Sequence, residues 1–328
     1  MKAFILKEVG SIENLQLIEV DKPSIKSDEV LVKVESISIN PVDVKARAYD
    51  GVLQWIFGEE RPAILGWDIS GTVVELGSEV TDFVVGDEVF GMINFFGKGN
   101  AYAEYVASPA SHLGLKPKKI SHQQAAAATM AAITAYQSLV GVAKIKKNDK
   151  VLIHAASGGV GHFAVQIAKY FGAYVIGTSS SKNKDFVLSL GADEHLDYNK
   201  ENFTENLSGF DIVLDTIQGE TLSKSIEIVK QNGIIVTLPS PEIPQELKDK
   251  ALEKQINIEF MMVASKNETI KAISHLLEIG AIKSHIHKTF SFEELGKAHL
   301  EVETNRVVGK IVVNLSQKTL ENKTARAK

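Results

Sequence analysis

Residues Val151-Leu-Ile-His-Ala-Ala-Ser-Gly-Gly-Val-Gly-His-Phe-Ala-Val-Gln-Ile-Ala-Lys169 constrain the fold more than any other stretch of the chain. Val151, Leu152 and Ile153 read as a buried parallel strand, while Val160, Ala164, Ile167, Ala168 and Phe171 recur on one face of a helix. The turn between them keeps the spacing of the second and third glycines of a dinucleotide fingerprint at Gly158 and Gly161, with Ala156 where the first would stand. Gly158 lets the backbone approach a pyrophosphate closely, and Gly161 lets the helix pack on its strand. The free N–H groups of Ser157, Gly158, Gly159, Val160 and Gly161 at the helix start then offer a cradle for the anion.

The end of the second strand selects among dinucleotides. After Tyr174-Val-Ile-Gly-Thr178 come Ser179, Ser180, Ser181, Lys182 and Lys184, with no acid before Asp185. A carboxylate there would bond the ribose hydroxyls of NAD, whereas hydroxyls and ammonium groups suit a 2′-phosphate. NADPH is the expected cofactor. A solvated polar loop is the bland reading of the same residues.

Around this unit the pattern changes twice. Residues 1–120 hold short alternating segments, among them Val30–Glu35, Gly71–Leu76 and Asp87–Phe90, split by glycine and proline as in a twisted, barrel-like β domain. An alanine-rich helix is expected from Ser121 as N-cap to Val142. Strand–helix alternation then follows, with strands at 151–156, 174–178, 194–197, 211–215, 233–238 and 257–262. Six such strands with right-handed crossovers make a doubly wound α/β domain over 121–284. Residues 285–315 return to strand alternation and should complete the first domain, leaving 316–328 as a polar tail.

Composition excludes several chemistries. The chain has no cysteine, so thiolate catalysis, disulfides and cysteine-bound zinc are out. A net charge of −5 without a long basic run argues against nucleic acid as the main partner. The apolar run at the N-terminus is too short for a signal peptide, and the stretch from Ala125 to Tyr136 is too short to span a bilayer. A cytoplasmic protein without membrane partners is expected.

The order of a β domain followed by a dinucleotide domain resembles the medium-chain dehydrogenase/reductase superfamily, whose catalytic domain is GroES-like. The segments Asn40-Pro-Val-Asp43, Leu65-Gly-Trp-Asp-Ile-Ser-Gly71, Val84-Val-Gly-Asp-Glu-Val89, Ala132-Ile-Thr-Ala-Tyr136, Ala155-Ala-Ser-Gly-Gly-Val-Gly161 and Val308-Gly-Lys-Ile-Val312 carry the resemblance. They look like the zinc-independent quinone oxidoreductase and enone reductase branch. The zinc-using branch has a Gly-His-Glu segment where this chain has Gly66-Trp67-Asp68. The resemblance implies hydride transfer from NADPH to a quinone or an α,β-unsaturated carbonyl, acceptors already electrophilic at carbon. A non-catalytic NADPH sensor of the same fold is the rival, because fold does not fix function.

The resemblance also assigns residues. Asn40 would face cofactor and substrate, with a pre-proline turn residue as the other reading. Asp43 would orient that loop or lie in a surface turn, and Asp68 would bond backbone N–H groups. Thr134 would meet the nicotinamide, or bond back within its helix. Lys184 and Tyr198 would contact the 2′-phosphate, with Ser180 a third contact in the same loop. Tyr49 is the candidate general acid, with solvent as the alternative proton source. Phe95 and Phe96 would wall a substrate pocket or pack in the core, and His285 and His287 lack a third metal ligand nearby. The apolar strand from Ile256 to Val263 suggests a homodimer paired edge to edge.

Overall fold

The computed structural model describes residues 1–200 and 203–315, and the expected polar tail lies outside them. The chain divides into two compact units. The first holds Met1–Met130, Ala264–Ile279 and the chain from Ser284 onward, and the second holds Ala131–Val263 and Gly280–Lys283.

In the first unit the long strand Glu29–Ile39 organises a mixed sheet. In order across that sheet stand Ile286–Ser291, Lys310–Asn314, Glu29–Ile39, Asp68–Leu76, Glu88–Met92 and Gly114–Leu115, with Tyr105–Pro109 also paired to Glu29–Ile39. Register shifts between Leu31 and Val32 and between Val34 and Ser36 interrupt the ladder to Asp68–Leu76, where bulges bend and twist a sheet. The strand Lys310–Asn314 pairs antiparallel with Glu29–Ile39, so chain from both ends of the sequence shares one sheet.

Two segments fall in a different unit from the one the sequence suggests. The helix His122–Ala127 belongs to the first unit. His122 Nδ1 shares a 2.8 Å hydrogen bond with Ser70 Oγ, and the Gln124 carbonyl accepts one of 2.6 Å from Ser284 Oγ. The helix Asn267–Glu278 also belongs there, with Ser274 Oγ donating to the Leu115 carbonyl at 2.7 Å.

The expected single helix from Ser121 to Val142 is broken. Ser121 does cap it, accepting the Gln124 N–H while Gln124 Oε1 accepts the Ser121 N–H. The helix stops at Ala127 because the Thr129 hydroxyl turns back to the Ala126 carbonyl at 2.6 Å and the Met130 N–H goes to Asp68 Oδ1 at 2.9 Å. Helix resumes over Met130–Tyr136, and Gln137–Val142 follows as a π-helical turn.

The second unit is a six-stranded parallel sheet. Its order is Glu194–Asp197, Tyr174–Ser179, Lys150–Ile153, Phe210–Asp215, Val229–Thr237 and Asn257–Phe260. The order reverses next to Lys150–Ile153, which is the doubly wound pattern. Ile176, Leu152, Val213 and Ile235, at matched registers, pack with Leu196 and with Leu222 and Ile226 of the helix Glu220–Ile228 in one buried core. Among the described residues no helix is long and apolar enough to cross a membrane.

Candidate active site

The fingerprint folds as its mechanism requires. The strand ends at Ile153, Ala155 turns with φ 48°, and the helix Gly159–Tyr170 starts with Gly158 as N-cap. A Cβ at position 161 would lie 2.2 Å from the Ala155 carbonyl oxygen, so only glycine permits this packing. No acid stands in the first helical turn, leaving its N–H groups and positive dipole end free of a competing carboxylate. This donor set fits a pyrophosphate. His162 is buried, its Nδ1 hydrogen-bonded to the Gly158 carbonyl at 2.9 Å, which makes it a packing residue of the turn.

The residues expected at the 2′-phosphate lie at neighbouring strand ends. Ser179 and Asp197 are register partners, which sets Ser180 and Tyr198 side by side just past them. Lys184 opens the next α-helix, Lys184–Ser189, and is exposed, as is Tyr198. Asn183, beside Lys184, donates from Nδ2 to Ser157 Oγ at 3.0 Å and ties this loop to the fingerprint turn. The nearby Asp197 carboxyl is held below its usual range, first by the Asn199 N–H and also by the Asn199 and Ser181 side chains and Lys200. Thr134 is buried on the helix Met130–Tyr136.

The first unit carries a cluster that the sequence shows only in fragments. Ser38 is the register partner of Asp68, and Ile39 is the partner of Ile311, so Asn40 and Lys310 meet at the same sheet end. Asp68, fully buried, accepts hydrogen bonds from Ser38 Oγ (2.6 Å), Asn40 Nδ2 (2.8 Å) and the Met130 N–H. Its expected role of bonding backbone N–H is therefore one part of a larger role. Lys310 is 3% exposed, with Nζ 3.8 Å from Asp68 Oδ2 and donating to the Ile39 carbonyl at 3.1 Å and to Asn40 Oδ1.

Asn40 is an extended pre-proline residue, as its sequence suggests, and N-cap of the helix Pro41–Ala48. Its N–H donates to Asp43 Oδ2 at 2.7 Å. Asp43 is completely buried, which removes the surface-turn reading. Burial first, and then the Asp68 charge, push its carboxyl up to about 7, against the Asn40 N–H, Lys310 and Tyr102. The Tyr102 phenol, pushed up by burial and then by Asp43, shares a 2.9 Å hydrogen bond with His299 Nε2. His299 is pushed down to about 3, by burial and then by Arg47. Burial lowers the Lys310 ammonium, with Asp68 and Asp43 opposing.

Tyr49 ends that helix and begins the next, Asp50–Phe57, and is 65% exposed. Trp67 fills the position of the zinc-branch histidine. It is fully buried, donates from Nε1 to the Gly97 carbonyl at 2.7 Å, and packs edge-on against Phe95. Phe95 is thus a core residue, whereas Phe96 is half-exposed and lies edge-to-face with Trp55 at 4.9 Å. Among the described residues no three His, Cys, Asp or Glu side chains gather as a metal would need.

Residues 26–118 match the alcohol dehydrogenase GroES-like domain family, and residues 190–313 match the zinc-binding dehydrogenase family. The chain is 35% identical to the 2-methylene-furan-3-one reductase of Solanum lycopersicum, over 96% of its own length and 79% of that protein's. It is 32% identical to the chloroplastic NADPH-dependent alkenal/one oxidoreductase of Arabidopsis thaliana, over 95% and 79%. The quinone oxidoreductase structure from Coxiella burnetii superposes with a TM-score of 0.88 at 33% identity, covering 96% of this chain and 99% of that one. The chain belongs to the medium-chain dehydrogenase/reductase superfamily, in its quinone and enone oxidoreductase branch. It is accordingly an oxidoreductase that binds a pyridine nucleotide.

Proposed function

We propose that this protein is a zinc-independent, NADPH-dependent reductase of quinones and α,β-unsaturated carbonyls. The observation that carries the cofactor choice is the acid-free end of the strand Tyr174–Ser179, followed by Ser180 and Lys184 with Tyr198 beside them. Gly158, Gly159, Val160, Gly161 and Ser157 would hold the pyrophosphate, and Thr134 the nicotinamide end. Bound there, NADPH supplies a hydride.

The protein's own part is to hold the acceptor, exclude water and stabilise the oxygen that becomes negative. Asn40 keeps one amide hydrogen beyond the one given to Asp68, and that hydrogen would donate to the developing enolate oxygen. Tyr49 would return the proton to carbon. The Trp55–Phe96 pair supports an apolar acceptor. Trp67 cannot ligate a metal and the chain has no cysteine, which supports chemistry without zinc. The names of the tomato and Arabidopsis relatives support the acceptor class. The edge strand Asn257–Phe260 supports a homodimer, and the cytoplasm remains the proposed compartment, to be checked by fractionation because the Arabidopsis relative is chloroplastic.

The test is a rate panel of NADPH and NADH against 2-alkenals, enones and naphthoquinones, for wild type and Lys184→Ala. Turnover with NADPH is expected. Lys184→Ala should weaken NADPH about tenfold, the scale of one charge-assisted bond at a solvated site, and leave NADH unchanged. Equal loss for both would reject the 2′-phosphate assignment, and tight NADPH binding without any turnover would point to a sensor.

A further inference from the structure

We propose that Lys310 is a positioning residue that fixes and polarises the Asn40 carboxamide, so that the amide hydrogen left free by Asp68 faces the acceptor oxygen. An ammonium only donates and a carboxylate only accepts. The carboxamide atom against Lys310 Nζ must therefore be oxygen, and the atom against Asp68 Oδ2, at 2.8 Å, must be the NH₂ group. A flipped amide would set N–H against ammonium and carbonyl oxygen against carboxylate, two repulsions at a fully buried site.

The same pair polarises the amide. Drawing electron density onto Oδ1 makes the Nδ2 hydrogens better donors, as in any chain of hydrogen bonds at low dielectric. The backbone closes the arrangement: Lys310 also donates to the Ile39 carbonyl, and Asp43 holds the Asn40 N–H. Asn40 is thus anchored at its carboxamide oxygen, its carboxamide nitrogen and its main-chain nitrogen, and one amide hydrogen remains for a ligand. Desolvation leaves Lys310 little reason to be here other than its neighbours, since an aliphatic chain would fill the strand at lower cost.

This role rests on the proposed reduction, so its test reads two properties. Lys310→Met should lower kcat/KM for the acceptor about tenfold, a fraction of the loss seen when an oxyanion donor is removed outright. In an Asn40→Ala background the same change should cost less than twofold, because Lys310 acts through Asn40. The second readout is the ¹⁵N-resolved side-chain NH₂ pair of Asn40. Its two protons should be widely separated in wild type and draw together in Lys310→Met, or in Lys310→Gln if the methionine variant does not fold.

An equal loss from Lys310→Met in both backgrounds, or an NH₂ pair unchanged by it, would overturn the positioning role. A wild type that turned over no acceptor would instead refute the reductase reading, and the NH₂ pair alone would then decide the orientation.

Discussion

Asp68, the first residue of its strand in the first unit, and Asp215, the last residue of its strand in the second, are both completely buried and are held in opposite ways. Asp215, in the second unit, is surrounded by neutral donors. Its Oδ1 accepts the N–H groups of Ile217 (3.0 Å) and Gln218 (2.9 Å), and its Oδ2 accepts the Thr237 hydroxyl (2.8 Å). The neighbouring His154 is held down to about 4 by burial, against the Asp215 charge. Ser225 donates to the Thr221 carbonyl, so it accepts from His154 Nε2–H, and Nδ1 takes the Thr178 hydroxyl. Asp68, in the first unit, has neutral donors too, but adds a buried ammonium and a second carboxyl. A carboxylate satisfied by backbone N–H groups shapes a turn. A carboxylate that shares its site with Lys310 also dictates how a third side chain is oriented.

The largest expected difference is in stability. Asp68→Ala strands Lys310 in the interior and should cost about 3–5 kcal/mol in urea unfolding. Asp215→Ala removes an acceptor from neutral donors only and should cost about 1–3 kcal/mol. Equal losses would erase the distinction.

The next effect is a pH slope. The Asp43 carboxyl sits at about 7 in the folded chain against 3.8 for an ordinary aspartate, so between those values the folded state holds a proton that the unfolded state has lost. Its contribution to stability is full at low pH and is lost as pH rises toward 7. His154 and His299 act oppositely, because they stay neutral in the folded state while an unfolded histidine protonates below 6.5. Asp43→Asn should therefore gain stability relative to wild type as pH rises from 4 to 7, by at most about 1.4 kcal/mol per unit. A flat difference would mean that Asp43 titrates normally.

The smallest effects separate the two carboxylates again. Thr237→Val removes one of three donors from Asp215 and should cost about 2 kcal/mol. Ser38→Ala removes one donor from Asp68, which keeps Asn40, Met130 and Lys310, and should cost about 1 kcal/mol. A reversed order in chemical denaturation would argue that the ammonium contributes nothing to Asp68.

The fingerprint and the sheet around it were readable because their signals are local. Gly158, Gly161 and the apolar strand before them lie within one short run, and backbone alone builds the cradle. The Asn40 cluster drew its members from residues 38–43, 68, 130 and 310, brought together by strand register and, for Met130, by a hydrogen bond to Asp68. Asn40 and Asp68 were legible by resemblance, but nothing local marked Asp43 as buried. Lys310 did leave a trace, a lone cation inside Val307-Val308-Gly309-Lys310-Ile311-Val312-Val313. The break after Ala127 was invisible for the same reason, since the Met130 N–H is claimed by an oxygen sixty-two positions earlier.

The strand Lys310–Asn314 carries a consequence for how the chain emerges during synthesis. Ribosomes deliver Asp43 and Asp68 some 240 positions or more before their counter-ion Lys310. Until residue 310 clears the exit tunnel, the nascent first unit holds two carboxyls with no cation to share their enclosure. Its N-terminal part is therefore expected to stay loosely assembled while the dinucleotide unit, whose last segment ends at Lys283, closes first.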